Sequence, residues 1–321
     1  MKGNIIICGA PRAGSTALYR YLSAHPEVSG SNLKELNYFL GGENSYQDCF
    51  EEANIDKYLA LFGHVNKGQH TLEASPSYLH RWCADRVASR VSSLLPHAKV
   101  IFILRNPILR LRSQYIADIT RNNKIDKNIS FEAYVQACLM GDEDGVFKSI
   151  PEDQRKLYLE GLSIGKYYET ISKYMQHIGK SQVYIMFSEK LMKNSKQEMV
   201  ALARFLEVDE SFYLEFKYEL ENKSITPKNK FIYQFSLVIN SYMEPIFNKV
   251  PQLRSFLRKV HDGLNHGKTQ GDFGLSDAMN DKMHEYYHDS HSKLRALVKT
   301  VHSSDEMPSW LMQRGKDSSV E

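Results

Sequence analysis

The sequence predicts an α/β protein, with helices on both faces of a central parallel sheet and a helical C-terminal third. Short, continuous apolar runs, typical of strands buried on both faces, alternate with longer amphipathic segments. Such alternation is typical of parallel sheets. From Lys228 onwards only helical patterns follow, and no repeat or Pro-rich linker interrupts the chain. We therefore predict a single domain over residues 1–321.

The elements are predicted from these patterns in chain order. The apolar runs predict strands at Ile5–Cys8, His70–Glu73, Val100–Leu104 and Val183–Phe187. Apolar residues at helical spacing predict helices at Thr16–Ala24, Ser77–Leu95, Ile108–Arg121, Ile164–Ile178 and Leu191–Leu206. In the C-terminal third the same spacing predicts helices over 229–247, 251–260 and 276–301.

Charge and cysteine content exclude several classes of function. Basic residues number 41 and acidic residues 38, so we expect no nucleic-acid partner, and any anion site must be local. The cysteines Cys8, Cys49, Cys83 and Cys138 include no CxxC pair, which indicates free thiols in a reducing, cytoplasmic compartment. No apolar run approaches the ~20 residues that span a bilayer. The N-terminal run is also too short for a signal peptide.

The loop between the first strand and the first helix is the main candidate for a binding site. Gly9–Thr16 reads GAPRAGST, and its backbone N–H groups can surround an anion and present it to a helix N-terminus. Gly14 allows the backbone to approach closely, while Ser15 and Thr16 add hydroxyl donors. The alternative is a strand-to-helix turn that binds no ligand.

This loop departs from the nucleoside-triphosphate pattern GxxxxGK[ST]. Ser15 occupies the lysine position, and Arg12 supplies a cation from within the loop. The strand that ends at Leu104 is followed by Arg105 instead of a magnesium-binding aspartate. These differences predict a phosphate site that uses protein cations and no metal. They disfavour an ATP-dependent small-molecule kinase, which stays an alternative together with a non-catalytic nucleotide-binding protein.

Four segments in the same order resemble sulfotransferases that use 3′-phosphoadenosine 5′-phosphosulfate (PAPS), especially the heparan-sulfate type and its bacterial relatives. They are PRAGSTAL (Pro11–Leu18), KELNYF (Lys34–Phe39), LEASPSYL (Leu72–Leu79) and ILRNPILRLRSQY (Ile103–Tyr115). The resemblance implies a P-loop, nucleotide-kinase-like fold. It also implies transfer of a sulfuryl group from PAPS to a hydroxyl or amine of a glycan, lipid or small metabolite.

The resemblance also implies roles for individual residues. Glu35 is the general base for in-line transfer, and Arg12 stabilises the leaving group. Arg105 and Ser113 hold the 3′-phosphate. The 5′-phosphosulfate is held by Arg12, Ala13, Gly14, Ser15, Thr16 and Ala17. A purely structural alternative pairs Glu35 with Lys34 and places Arg105 in an ion pair at the sheet edge.

Three further positions bear on the predicted site. Ala74 and Asn37 stand where heparan-type enzymes carry a lysine and a histidine, so heparan sulfate itself is not inferred as the acceptor. Alignment without gaps from His284 places Lys268 on the lysine of the family's late nucleotide loop.

The last predicted helix carries a pattern with a second interpretation. The segment His284–His288 matches the zinc pattern HExxH, but relatives carry a similar sequence without a metal, so we predict no metal site.

An exposed helical C-terminal third could support a homodimer.

Overall fold

A five-stranded sheet, parallel throughout, is the central element of the structure. The computed structural model describes residues 2–41, 54–120, 124–218, 226–227, 266–267, 274–301 and 307–312. The chain divides into two compact units, Met1–Glu219 with Leu275–Glu321, and Leu220–Gly274. The sheet belongs to the first unit and has the order β2-β3-β1-β4-β5. Its strands are β1 (Gly3–Gly9), β2 (Val28–Gly30), β3 (His70–Ala74), β4 (Lys99–Leu104) and β5 (Val183–Phe187).

Burial on both faces explains the apolar sequences of these strands. Residues 5–8 of β1 and 100–104 of β4 are fully buried, as expected for central strands of a parallel sheet. Neighbouring residues of β4 and β5 point to opposite faces. Phe102 packs on Tyr174 with ring centroids 5.1 Å apart, and Tyr184 packs on Phe205 at 5.0 Å. The predicted α/β class and its parallel sheet are therefore confirmed.

Ten helices of the first unit precede residue 219 in the described part of the chain. They are α1 (Ser15–Ser23), α2 (Ile55–Leu59), α3 (Arg81–Leu94), α4 (Pro107–Thr120), α5 (Phe131–Met140), α6 (Glu152–Leu159), α7 (Tyr167–Ile178), α8 (Ser188–Lys193), α9 (Ser195–Leu206) and α10 (Phe212–Glu215). Of these, α3 and α7 pack on each other, and α9 packs against β5.

The structure differs from three of the predicted helices, and the one at Ile164–Ile178 begins with a 3₁₀ turn at Ser163–Gly165 before α7 starts at Tyr167. The predicted helix Leu191–Leu206 is two helices, α8 and α9, because Asn194 has non-helical backbone angles of −135° and 50°. Asn and Ser side chains compete for backbone hydrogen bonds, and Ser195 Oγ donates to the carbonyl of Leu191 at 2.7 Å. The predicted helix Ser77–Leu95 begins instead with a 3₁₀ turn at Pro76–Leu79, and α3 starts only at Arg81.

The C-terminal region contains the predicted helix 276–301, here α11 (Asp277–Val301), and a short α12 (Ser309–Met312). One seam of α11 is buried, at Met279, Met283, Tyr287, Ser290, Leu294 and Val298. The predicted helices 229–247 and 251–260 lie outside the described residues. In the second unit, β6 (Thr226–Pro227) and β7 (His266–Gly267) form an antiparallel ladder that the sequence did not predict. Across the described segments, every helix is too short or too polar to cross a membrane.

Glu73 is a carboxylate buried within β3. Its side chain is fully buried, and Ser75 Oγ donates to its Oε1 at 2.8 Å. Burial raises the pKa of Glu73 above its usual range, and nearby hydroxyls of Tyr78, Tyr58 and Ser75 oppose the rise. An ionised Glu73 therefore destabilises the folded protein relative to the unfolded chain.

We expect Glu73→Gln to stabilise the protein at high pH. Glutamine keeps an oxygen for Ser75 but does not ionise. Since the folded-state pKa of Glu73 is raised, wild-type stability falls as the pH rises from the unfolded pKa of about 4.3 towards the folded-state value. The variant should gain about 1 kcal/mol in the free energy of unfolding at pH 8, and less at pH 4. Urea denaturation at both pH values measures the difference, and a gain independent of pH would contradict this expectation.

Candidate active site

The carboxyl ends of three adjacent strands form the candidate site. The loop after β1 is bonded to β4, and β1 itself is bonded to the residue that follows β3. The Ala10 N–H donates to the carbonyl of Ile103 at 2.7 Å, and the Ser75 N–H donates to the carbonyl of Ile7 at 3.0 Å. The pairing of β1 with β4 shifts register between Ile7 and Gly9, and such irregularities often re-aim the chain next to a site. The loop therefore starts from a fixed point between β3 and β4.

Two glycines give this loop its path. Gly9 has a φ of 142°, and a Cβ there would lie 2.7 Å from the Cβ of Leu79. Gly14 has a φ of 101° and is the N-terminal cap of α1, where its carbonyl accepts from the N–H of Leu18 at 3.1 Å. Side chains other than glycine rarely adopt such angles, so both positions require glycine.

The start of α1 faces this loop with donors suited to an anion. The first N–H groups of a helix have no partner within the helix, and the helix dipole adds partial positive charge there. This first turn is formed by Ser15, Thr16 and Ala17. Ala13 is fully buried, so it packs the loop against the core. The structure therefore brings together the loop residues that the sequence analysis singled out.

Arg12 is oriented by a chain of hydrogen bonds from α4. Its Nε donates to Oε1 of Gln114 at 3.1 Å. The amide nitrogen of Gln114 in turn donates to both carboxylate oxygens of Asp118, at 3.0 and 2.9 Å. Asp118 is fully buried, so its position is fixed by packing. The negative charge of Asp118 thus fixes the amide of Gln114 with its oxygen towards the guanidinium of Arg12.

Arg105 lies against the same loop. Its Nη1 donates to the backbone carbonyl of Arg12 at 3.0 Å, and the hydroxyl of Tyr167 donates to the carbonyl of Arg105 at 2.7 Å. Burial lowers the pKa of the Arg105 guanidinium, and the nearby carboxylate of Glu189 opposes the shift. Arginine stays protonated even so. Arg105, which follows β4, therefore contacts the same loop that carries Arg12.

The turn from β4 into α4 follows from three consecutive residues. After Arg105, Asn106 Oδ1 accepts from the N–H groups of Ile108 and Leu109, at 2.9 and 3.1 Å, and so caps the helix. Pro107 is the first helical residue, a position that proline favours. Ser113 is half-buried on this helix, and its hydroxyl bonds to none of the described residues.

Glu35 lies on the other side of the loop, at the end of β3. Its N–H donates to the carbonyl of Ala74 at 3.0 Å, and its side chain is 50% exposed. The carboxylate forms an ion pair with Lys34, the contact that a purely structural role would involve. Glu35 and Asn37 have φ values of 66° and 51°, and Arg12 has 65°. Three of the four described non-glycine residues with positive φ therefore lie at this site.

Several residues near the loop were missed by the sequence analysis. Gln114 and Asp118 are four apart on one helix, a spacing that predicts contact, but it did not reveal Arg12 as their partner. Lys124 Nζ lies 5.5 Å from the ring centre of Tyr158. Burial raises the pKa of Tyr158, and the charges of Lys124 and Arg12 oppose the rise.

The remaining predicted features are Lys268 and the HExxH pattern. Lys268 lies outside the described residues. His284, Glu285 and His288 are exposed on α11, opposite its buried seam. Within the part of the chain that the structure describes, no group of three or more His, Cys, Asp or Glu side chains could hold a metal ion.

The parallel sheet and the glycine-containing loop after β1 define a P-loop-like α/β fold. A family model described as a sulfotransferase domain matches residues 2–295. Because this match covers most of the chain, the protein belongs to the sulfotransferase family.

Two curated relatives and one crystal structure illustrate the family match. The bifunctional heparan sulfate N-deacetylase/N-sulfotransferase 1 of Caenorhabditis elegans is 24% identical over 212 residues, which are 64% of this chain and 22% of that protein. Human heparan sulfate glucosamine 3-O-sulfotransferase 6 is 24% identical over 201 residues, 63% of this chain and 51% of that protein. The chain therefore spans between about a fifth and a half of these relatives. A crystallised sulfotransferase from Alicyclobacillus acidocaldarius shares the fold, with a TM-score of 0.62, 18% identity, and coverage of 97% of this chain and 99% of that one.

We expect Gln114→Met to weaken the binding of 3′-phosphoadenosine 5′-phosphate (PAP) about tenfold, because a methionine of similar shape no longer orients Arg12. Calorimetric titration measures the affinity. Gln182→Met is a matched control, since the Gln182 amide donates to two carbonyls, at 3.0 and 2.9 Å, at the amino edge of the sheet. Equal PAP affinities for Gln114→Met and wild type would show that Arg12 does not depend on this chain of hydrogen bonds.

Proposed function

We propose that the protein is a sulfotransferase that moves the sulfuryl group of PAPS to a hydroxyl or amine of an acceptor. One observation carries the proposal. The carboxyl ends of β3, β1 and β4 bring a glutamate and two arginines around one anion-binding loop. Ligands of open α/β sheets bind at this edge. The family match supports the same function.

The residues of the loop fit the phosphosulfate of PAPS. When bound, PAPS supplies an activated sulfuryl group and a phosphate leaving group. In the proposal, the first turn of α1 and the hydroxyls of Ser15 and Thr16 bind the 5′-phosphosulfate. Arg105, already at the loop, and Ser113 bind the 3′-phosphate, since a guanidinium and a hydroxyl together suit a phosphate. Lys268 is proposed as a further contact.

Glu35 and Arg12 have complementary proposed roles. The exposed carboxylate of Glu35 accepts the proton of the attacking acceptor oxygen or nitrogen. Arg12 stabilises the negative charge that develops on the phosphate oxygen of the leaving group. Because arginine holds its proton strongly, its part is electrostatic. The hydrogen-bond chain to Asp118 supports this role by keeping Arg12 in place.

We propose a carbohydrate as the first acceptor class to test. Both relatives described above are named for heparan sulfate, which supports a glycan acceptor. Ala74 and Asn37, however, replace the lysine and histidine expected for heparan-type enzymes. Asn37 is buried, and its Oδ1 has no hydrogen-bond partner among the described residues. The acceptor contacts of this chain therefore differ from those of heparan-type enzymes.

Location and assembly stay predictions. Cys8, Cys83 and Cys138 are free cysteines, which supports a reducing, cytoplasmic compartment. A homodimer through the C-terminal helices and a single domain over 1–321 are likewise predictions for solution measurements.

Calorimetric titration of the protein with PAP, adenosine 5′-phosphate and ATP with Mg²⁺ tests the proposed donor. We expect PAP to bind at least about tenfold more tightly than adenosine 5′-phosphate, since only PAP carries the 3′-phosphate. Ser113→Ala should weaken PAP binding severalfold and leave adenosine 5′-phosphate unaffected. Arg105→Ala should weaken both, because Arg105 also supports the loop through the carbonyl of Arg12. Preference for ATP with Mg²⁺ would favour a kinase instead.

We expect Glu35→Gln to lower kcat at least about a hundredfold, because the acceptor then loses its proton without a base. PAP affinity should stay within about twofold of wild type. Sulfuryl transfer from radiolabelled PAPS to a panel of glycans, alcohols and amines gives the rates, and calorimetry gives the affinity.

Glu207→Gln is a matched control for this variant. Glu207 also has a positive φ, 60°, and its exposed carboxylate forms an ion pair with Lys99 at 2.6 Å. It lies beyond the end of α9, away from the loop, so its loss should leave transfer unchanged. Normal turnover by Glu35→Gln would remove Glu35 from the proposed mechanism.

A further inference from the structure

We propose that Glu73 is a positioning residue that holds the candidate base in place through Ser75. The inference rests on the proposed function, because it concerns the segment that carries Glu35. Glu73 itself is fully buried and does not reach the loop after β1 in any hydrogen bond among the described residues. It acts through a short relay of hydrogen bonds.

The segment that carries Glu35 is bound at every second N–H to the end of β3. Glu35 N–H donates to the carbonyl of Ala74, and Asn37 N–H donates to Ser75 Oγ, both at 3.0 Å. Phe39 N–H donates to the hydroxyl of Tyr78, also at 3.0 Å. Two of the three acceptors are therefore side-chain hydroxyls, whose orientation depends on their own partners.

The conformation of this segment needs such support. Glu35 and Asn37 both have positive φ, a conformation that costs residues other than glycine free energy. The surrounding structure has to hold them in that conformation. Arg90 adds a further tie, since its Nη1 donates to the carbonyls of Phe39 and Leu40, at 2.9 and 2.8 Å. The hydrogen bonds from Asn37 and Phe39 therefore help to fix where the carboxylate of Glu35 points.

Glu73 determines whether Ser75 can accept the Asn37 N–H. A serine hydroxyl has one hydrogen and two lone pairs, so its hydrogen must point away from any N–H that it accepts. Ser75 Oγ donates that hydrogen to Glu73 Oε1 at 2.8 Å. The carboxylate therefore turns the lone pairs of Ser75 towards Asn37. Without an acceptor at Glu73, the hydroxyl is free to rotate.

Burying a carboxyl group costs free energy of folding, so its presence beside Ser75 argues for a role beyond packing. Even with the hydroxyls of Tyr78, Tyr58 and Ser75 beside it, burial raises the pKa of the Glu73 carboxyl. Replacing buried charged groups by apolar residues of similar volume often stabilises a protein. An apolar residue here would remove the carboxylate acceptor of the Ser75 hydrogen. The hydrogen bond to Ser75 is thus the feature that an apolar replacement would lose.

The relay also links the segment that carries Glu35 to the loop after β1. Ser75 N–H donates to the carbonyl of Ile7 in β1, two residues before Gly9. The same serine therefore contacts, through its backbone, the strand that leads into the loop and, through its side chain, the segment of Glu35. Ser75 thereby sets the position of Glu35 relative to Arg12.

Hydrogen exchange of the peptide covering 33–40 tests the relay without any assumption about turnover. In Ser75→Ala and Glu73→Leu, we expect the amides of Asn37 and Phe39 to exchange about tenfold faster than in wild type. Glu73→Gln should keep wild-type exchange, because its amide oxygen still accepts from Ser75. Ser290→Ala is the matched control, since Ser290 is equally buried and donates to a glutamate, Glu169, at the same 2.8 Å. Unchanged exchange in Ser75→Ala would overturn the relay even if Glu73→Leu does not fold.

Enzyme kinetics then distinguish a misplaced Glu35 from a general loss of folding. With radiolabelled PAPS and whichever acceptor of the panel above the wild type sulfates, Ser75→Ala should lower kcat about tenfold while KM for PAPS and PAP affinity stay at wild-type values. Ser290→Ala should change none of these. Faster exchange with a normal kcat would overturn the role in catalysis. If wild type binds no PAP, the proposed function fails, whereas the exchange result still decides whether the relay holds the segment.

Discussion

The backbone hydrogen bonds on either side of β1 are the constraint on which the site depends. One runs from Ala10 to the carbonyl of Ile103, and the other from Ser75 to the carbonyl of Ile7. Together they hold the loop between β3 and β4 at the edge of the sheet where parallel strands present ligands. Every proposed functional group is placed relative to these two bonds. Arg105 follows β4, Glu35 is bound to the end of β3, and Arg12 lies in the loop itself.

The elements that the sequence predicted best are those with a local physical signal. β4 and β5 are apolar runs buried on both faces, and their observed bounds match the predicted ones to within one residue. β2 was missed because its three residues, Val28–Gly30, contain a single large apolar side chain. The break between α8 and α9 depends on the backbone angles of Asn194, and helical periodicity alone does not reveal it.

The candidate site likewise has features that the sequence predicted and features that only the structure shows. The loop Gly9–Thr16 has glycines where its backbone needs positive φ, so its path is readable from sequence, and its anion binding stays a prediction. The contact between Arg12 and Gln114 joins residues 102 positions apart and exists only because α4 starts beside the loop. Glu73 could have drawn attention as a charge within a predicted strand. Its partner Ser75, however, acts through a segment that precedes it by nearly forty residues.

The central position of β1 also constrains how the protein folds. Its two neighbours are distant in sequence, since Gly3 pairs with His70 and Ile5 pairs with Lys99. Strand pairings between residues so distant in sequence form slowly, because closing a long loop costs entropy before any stabilising contact forms. During synthesis, β1 is made before both of its partner strands and cannot pair with them until residues beyond 70 follow. The arginines and the loop therefore meet only after β4 is made and docked, so the site forms late in folding although its loop is made before the strands on either side of it.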